Sequence, residues 1–274
     1  RSADGQKIYA PFALPGERLR LRITGKQGDG KAAAIEEILE ASPLRETPAC
    51  RHFTRCGGCN LQHMKLQGIA EMKRELLAEA LGRKGFGDIE IGETLSTPPG
   101  ARRRVRLTCR RLKGRTVLGF NERAGRMVVD LAECPVVTQA IAGLLAPLRG
   151  LCASLDALGK AGDVQITNCD SGLDLLFVPD RPSSPGLRDR EALMDFAEAH
   201  DIARISWEDK GFIEPLAARR AARVSFGGVP IDLPAGSFLQ PSLQGEQALA
   251  GLVHAATLKA GKIADLYAGC GSLT

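Results

Sequence analysis

The stretch Cys50-Arg51-His52-Phe53-Thr54-Arg55-Cys56-Gly57-Gly58-Cys59-Asn60-Leu61-Gln62-His63 decides how the chain is read. It holds three cysteines at Cys-x5-Cys-x2-Cys spacing, with two glycines inside the tight pair. Glycine removes side-chain bulk and permits positive φ, so the backbone can wrap closely round a metal with its N–H groups turned inward. Thiolates at this spacing are soft ligands for zinc or an iron–sulfur centre. Such a site needs a fourth ligand. Cys134, directly followed by Pro135, is the best candidate, because Cys-Pro recurs in ferredoxin-type ligation. Zinc ribbons usually add a second Cys-x2-Cys pair. None exists here, although His52 and His63 could complete a zinc site. Cys109 falls in a strand pattern, Cys152 and Cys169 in apolar surroundings and Cys270 in a glycine turn. Each of these four reads as a small buried side chain.

The 274 residues are 44% apolar and 25% charged, inside the globular range and outside the disordered and membrane classes. That length suggests about two domains. Aromatic residues are only 4%, so extensive base stacking on exposed rings is not written into the composition. A net charge of +5 and a pI near 8.8 are compatible with a nucleic-acid partner without requiring one. No run approaches the ~18 apolar residues a membrane span needs. The opening residues Arg1 to Lys7 lack the charged-then-apolar layout of a signal peptide. Eight cysteines in such a chain argue for reduced thiols and metal ligation. A cytoplasmic monomer with no membrane partner is expected.

Upstream of the cysteines, residues 8–43 read as short strands broken by turns at Pro15-Gly16 and Gln27-Gly28-Asp29-Gly30. Residues 18–23 alternate strictly, the period-2 mark of a strand with one buried face. A small barrel of the oligonucleotide-binding kind is predicted. Arg18, Arg20 and Arg22 would share one face, toward solvent or phosphate. Residues 42–48 form a linker with two prolines. Downstream, residues 66–81 are predicted as a helix, with Ile69, Met72, Leu76 and Ala80 as a core stripe and Gly82 as the stop.

Residues 102–131 suggest a three-stranded meander. Its first strand carries Arg102, Arg103, Arg104, Arg106, Arg110 and Arg111, the densest basic cluster in the chain. Arginine suits bidentate phosphate contacts, which makes Arg102, Arg103, Arg104 and Arg106 candidate RNA contacts. The competing reading is a solvated edge strand defended by charge. Helices are predicted over 141–151 and 188–200, strands over 163–168, 173–178 and 202–207, and a hairpin over 223–233. These would form an α+β module packed beside the meander, with no catalytic constellation. After residue 236 the character changes again. Residues 244–258 read as a helix, and residues 262–271 as a strand running into Gly269-Cys270-Gly271, the opening of a nucleotide-binding α/β domain. The third glycine of the dinucleotide fingerprint is missing, and the chain is expected to be a fragment.

Together these residues resemble a known family, the iron–sulfur uracil-5 RNA methyltransferases. They include bacterial 23S ribosomal RNA enzymes and relatives of the transfer RNA 5-methyluridine enzyme. The resemblance rests on Cys50-x5-Cys56-Gly-Gly-Cys59 with Gln62-His63, on Pro15-Gly16-Glu17 and Ser42-Pro43-x-Arg45, on Leu118-Gly119-Phe120 and Cys134-Pro135-Val136, and on Ser237-Phe238-x-Gln240 and Asp265-Leu266-Tyr267-x-Gly269-x-Gly271. It implies a multidomain protein. Residues 1–45 would form a TRAM/OB-like β-barrel, 46–235 an α+β central domain with the cluster loop, and 236–274 the start of a Rossmann-like methyltransferase domain.

It also implies that Cys50, Cys56, Cys59 and Cys134 hold a [4Fe–4S] cluster, that Gln240 and Tyr267 contact S-adenosylmethionine, and that Gly269 shapes the turn. Ser242 and Ala268 depart from the family, which often has Asn and Cys there. The implied partner is RNA, ribosomal RNA favoured over transfer RNA. In the implied chemistry a thiolate adds to carbon 6 of a uracil drawn out of its stack, carbon 5 takes the methyl group, and a base removes the carbon-5 proton. The nucleophile and base are expected beyond residue 274, so no catalytic residue is assigned here. Two other classes compete with this one. A non-catalytic, zinc- or cluster-stabilised RNA-binding module remains an alternative; a radical S-adenosylmethionine enzyme needs Cys-x3-Cys-x2-Cys, which this spacing does not supply.

Overall fold

The structure, a computed structural model, describes residues 5–274. They fall into two compact units: residues up to Thr54 with Cys59–Ser96, and Arg55–Gly58 with Thr97–Thr274. No helix among the described residues is long and apolar enough to cross a membrane.

In the first unit, β1 (Ile8–Tyr9), β2 (Arg18–Gln27) and β3 (Gly30–Glu40) form a three-stranded sheet in the order β1-β3-β2. Where the sequence predicts several short strands, two long ones pair as an antiparallel hairpin. Arg18, Arg20 and Arg22 do share a face, but each meets a β3 carboxylate. Arg18 pairs with Glu40 at 2.7 Å, Arg22 with Glu36 at 3.1 Å, and Arg20 with Glu37. That face is therefore neutralised rather than basic. Such exposed pairs contribute little to stability.

A different ion pair anchors the hairpin. The Glu17 carboxylate accepts from the Arg45 guanidinium and from the backbone N–H of Leu14 (2.9 Å), while Arg45 also donates to the Phe12 carbonyl at 2.7 Å. The Glu17 side chain has no exposed surface.

Helix α1 (Leu66–Gly82) forms where predicted, but its stripe is not core. Gly68 is its one buried residue, and Leu76 and Leu77 are 55% and 49% exposed. Helical spacing defines a face without specifying what covers it.

In the second unit six strands make one mixed sheet: β4 (Arg104–Leu112), β5 (Arg115–Gly119), β6 (Ala161–Cys169), β7 (Gly172–Pro179), β8 (Arg204–Asp209) and β9 (Phe212–Ala218), in the order β5-β4-β6-β7-β8-β9. Helix α2 (Gln139–Ser154) separates β5 from β6, and α3 (Leu187–Ala199) makes the crossover between the parallel strands β7 and β8. The register sets two apolar rows across four strands, Val105–Ile166–Leu175–Ile205 and Leu107–Val164–Phe177–Trp207. All eight side chains are buried, each worth about 1.5–3 kcal/mol over exposure. Phe177 and Trp207 stack at 5.8 Å. Ile141, Leu144, Leu145 and Leu148 of α2 and Leu193 and Phe196 of α3 belong to the same core.

This arrangement corrects two expectations. The basic strand is not an edge: β4 lies between β5 and β6. Nor is there a separate meander beside an α+β module, because β4 and β5 belong to the module's sheet. The expected third meander strand, 127–131, follows β5 through Val129 N–H to the Phe120 carbonyl and Leu131 N–H to the Leu118 carbonyl, without a regular ladder.

A separate hairpin, β10 (Arg223–Phe226) with β11 (Val229–Asp232), contributes Val224 to a small second cluster that includes Cys169, Leu233 and Leu239. Helix α4 (Leu243–Thr257) follows, with Ser242 capping its start. Residues 262–271, predicted as a strand, form none. A strand needs a neighbour to complete its hydrogen bonds, and no described strand lies beside this segment.

The Glu17 ion pair gives a pH test. The hydrogen bond from Arg45 is the main cause that pulls the carboxyl down to about 2. A depressed folded pKa stabilises fully above the unfolded value and is lost as pH falls. Amide protection factors across β2 and β3, corrected for the intrinsic exchange rate, should therefore fall between about pH 5 and pH 2. Glu17→Gln should destabilise the unit by about 3 kcal/mol at neutral pH and abolish that acid step.

Candidate functional site

The cysteine loop contributes to both units. In the first, the Cys50 N–H donates to Gln62 Oε1 at 3.2 Å, and the Phe53 N–H closes a turn onto the Cys50 carbonyl at 3.0 Å. His63 is buried, its ring 5.6 Å from that of Phe12 and 5.4 Å from that of Phe53. Cys59 is half-buried.

In the second unit, Cys56 bridges to Glu122, the Gly57 N–H donates to the Asn121 carbonyl at 2.9 Å, and Arg55 pairs with Glu122 at 2.9 Å. The Gly58 N–H donates to Cys56 Sγ at 3.4 Å. Cys134 is buried in the same apolar cluster as Cys56. None of the four candidate ligands is joined in a disulfide. Among the described residues, no three His, Cys, Asp or Glu side chains are gathered into a group that could hold a metal.

The two glycines are required for a reason other than the one their sequence suggests. Neither lies in the left-handed region. A Cβ at Gly57 would stand 2.8 Å from the Asn121 carbonyl oxygen, and one at Gly58 would stand 3.1 Å from the Phe120 ring. The constraint is close approach, not dihedral freedom.

Three of the remaining four thiols are buried away from solvent. Cys109 and Cys152 are fully buried; the hydrogen bond that Cys152 donates to Cys109, with burial, pushes the Cys152 thiol up, and the same bond draws the Cys109 thiol down. Burial pushes the Cys169 thiol up to about 12. Cys270 packs half-buried against the second cluster.

The register separates the arginines of β4 from the core. Val105, Leu107 and Cys109 point inward, so Arg104, Arg106 and Arg110 point to the other face. Arg106 pairs with Asp163 at 2.8 Å, and Arg104 donates to Gln165 at 3.0 Å. The Arg104 guanidinium also lies 5.5 Å from the centre of the Phe238 ring. Arg102, at the approach to β4, is exposed. Arg103 differs from all of these: it is only 6% exposed and pairs with Glu246 at 2.7 Å. A guanidinium enclosed in this way has no surface to offer a phosphate, so it leaves the set of RNA candidates. Nothing local in the sequence links it to an acid 143 positions away.

Of the expected cofactor contacts, Gln240 is half-buried, and its carbonyl accepts from Arg103 Nε at 3.2 Å. Tyr267 and Gly269 lie on the C-terminal turn. Tyr267 is fully exposed, and Gly269 and Gly271 have φ of +61° and +80°, the turn conformation predicted.

The α/β fold matches a solved structure, the Pyrococcus abyssi tRNA (uracil-54, C5)-methyltransferase in complex with S-adenosyl-L-homocysteine. The TM-score is 0.70, covering 97% of this chain and 64% of that one. At 21% identity this shows likeness of fold. In sequence, the chain is homologous to proteins named as RNA methyltransferases. An uncharacterized RNA methyltransferase of Mesorhizobium japonicum is 38% identical over 97% of this chain and 61% of its own length, and one of Brucella suis is 38% identical over 98% and 62%. The 23S rRNA (uracil(1939)-C(5))-methyltransferase of Halomonas elongata is 34% identical over 76% of this chain and 43% of its own length. No family model matches the sequence. The relatives are named as enzymes, and the chain spans about three-fifths of the length of the first two.

The glycine geometry predicts an order of effects in thermal melts. Gly57→Ala meets a backbone oxygen and should lower stability by about 1–3 kcal/mol. Gly58→Ala meets an aromatic ring that can move, and it should do less harm.

Proposed function

We propose that the chain is part of an S-adenosylmethionine-dependent enzyme that methylates carbon 5 of uracil in RNA, ribosomal RNA favoured over transfer RNA. The observation that carries this reading is homology along nearly the whole chain to named RNA methyltransferases, joined by one relative named for a 23S rRNA uracil. When bound, S-adenosylmethionine supplies the methyl group. Gln240, Tyr267 and Gly269 would hold it, and Arg102, Arg104 and Arg106 would take RNA phosphates. The nucleophile and general base would come from residues beyond Thr274, which fits the burial of Cys109, Cys152 and Cys169.

The reading includes a [4Fe–4S] cluster on Cys50, Cys56, Cys59 and Cys134. Support comes from the residue type, since cysteine thiolates suit iron, and from the Gly58 N–H directed at Cys56 Sγ, as expected around a ligand sulfur. Its role would be structural, because methyl transfer of this kind moves no electron.

Full-length protein purified without oxygen should contain iron and sulfide in equal amounts, and Cys134→Ala should lose both. A colourless preparation with one zinc per chain would sink the cluster. Incubated with 23S rRNA and S-adenosylmethionine, the full-length enzyme should yield 5-methyluridine by mass spectrometry of digested RNA. Failure to modify any RNA would remove the activity.

A further inference from the structure

Arg103 has a role that the sequence does not assign to it. Four of its polar groups are engaged, three of them by residues 240–246. Its backbone N–H donates to the Pro241 carbonyl at 2.7 Å, its Nε to the Gln240 carbonyl at 3.2 Å, and its Nη2 to Glu246 at 2.7 Å. Its own carbonyl accepts from the Asn168 N–H at 2.7 Å on β6. One residue at the head of β4 thus clasps two consecutive peptide carbonyls and the first turn of α4.

The clasp is dry. The side chains of Arg103 and Glu246 are 7% and 5% exposed. Glu246 is also the one buried residue of α4, while Leu249 and Leu252 are exposed. Besides Arg103, the segment is held by Leu239 in the second cluster, by the Phe238 ring against the Arg104 guanidinium, and by the Ser242 cap, whose Oγ accepts from the Gly245 N–H at 3.1 Å. None of these is a hydrogen bond to the Gln240 carbonyl. A buried ion pair gives little net stability against an apolar replacement, yet removing one partner is strongly unfavourable. Its value lies in fixed geometry. Only a planar guanidinium can serve a carbonyl and a carboxylate together in two fixed directions; a lysine ammonium is a single point of charge.

We propose that Arg103 is a positioning residue for cofactor binding: by clamping the Gln240 and Pro241 carbonyls and Glu246, it holds the Gln240 side chain where S-adenosylmethionine is bound. This rests on the reading above that Gln240 contacts the cofactor. It sets Arg103 apart from Arg104 and Arg106, which lie on the face of β4 opposite Val105 and Leu107.

The test uses the full-length protein, with Arg103→Lys, Glu246→Gln and Gln240→Ala. Isothermal titration with S-adenosylmethionine should show Kd rising about tenfold or more in Arg103→Lys and Glu246→Gln. KM for the cofactor should rise in parallel, while affinity for 23S rRNA fragments stays within about twofold of wild type. Without ligand, amide exchange at residues 239–246 should quicken while β6, β7 and β8 keep their protection. If Arg103→Lys unfolds the sheet, Glu246→Gln, which keeps shape and the hydrogen-bonding oxygen, decides alone. Wild-type cofactor affinity in the folded variants would overturn the proposal. So would lost RNA affinity with cofactor binding intact, which would return Arg103 to the phosphate contacts. A wild-type enzyme that binds no S-adenosylmethionine, or a Gln240→Ala variant that binds it normally, would overturn the parent reading and this proposal with it.

Discussion

The six-stranded sheet depends on register. Side chains alternate along a strand, so once Val105 and Leu107 line up with Ile166 and Val164, with Leu175 and Phe177, and with Ile205 and Trp207, every intervening residue is committed to the other face. A slip of one residue would bury Arg104 and Arg106 and expose the apolar rows. The same constraint that builds the core therefore presents a row of arginines, tempered by Asp163 and Gln165.

Arg103, two residues before Val105, falls outside that row by the same alternation. Its guanidinium is buried and is met by a carboxylate. Glu246 supplies that partner, and the segment carrying Phe238 and Gln240 is tied to the sheet in consequence. A second tie joins the same regions, the ring of Phe238 with the guanidinium of Arg104. The segment that the family resemblance links to the cofactor is thus fixed by two adjacent arginines in different ways, one buried and ionic, the other half-exposed and stacked.

Much of the second unit was legible from local pattern. Helices α2, α3 and α4, the β6–β7 pair, β8 and the β10–β11 hairpin lie where periodicity and turns place them, because those signals report local geometry. Misreadings arose where the answer lay in a distant partner. Strand β4 is rich in arginine, as an edge strand would be, yet it is internal. Its other neighbour, β6, comes some fifty residues later. The stripe of α1 has the spacing of a core helix and is largely exposed. Residues 262–271 have strand composition but no strand to pair with. On the hairpin, Arg18, Arg20 and Arg22 have the alternation of a phosphate-binding face, and β3 answers each with a glutamate.

By itself the sequence determined the periodic elements, the inward face of each strand, the cysteine spacing and the family resemblance, since each is carried by residues close together in the chain. Tertiary structure decided what those residues are for. It made Gly57 and Gly58 a matter of clearance against Asn121 and Phe120 rather than of φ, and it withdrew Cys109, Cys152 and Cys169 from solvent. It also separated Arg103 from its basic neighbours by giving it a carboxylate. The physical reason is common to all three. Steric clearance, desolvation and ion pairing depend on which atoms lie within a few ångströms, and for these residues most of those atoms belong to distant parts of the chain.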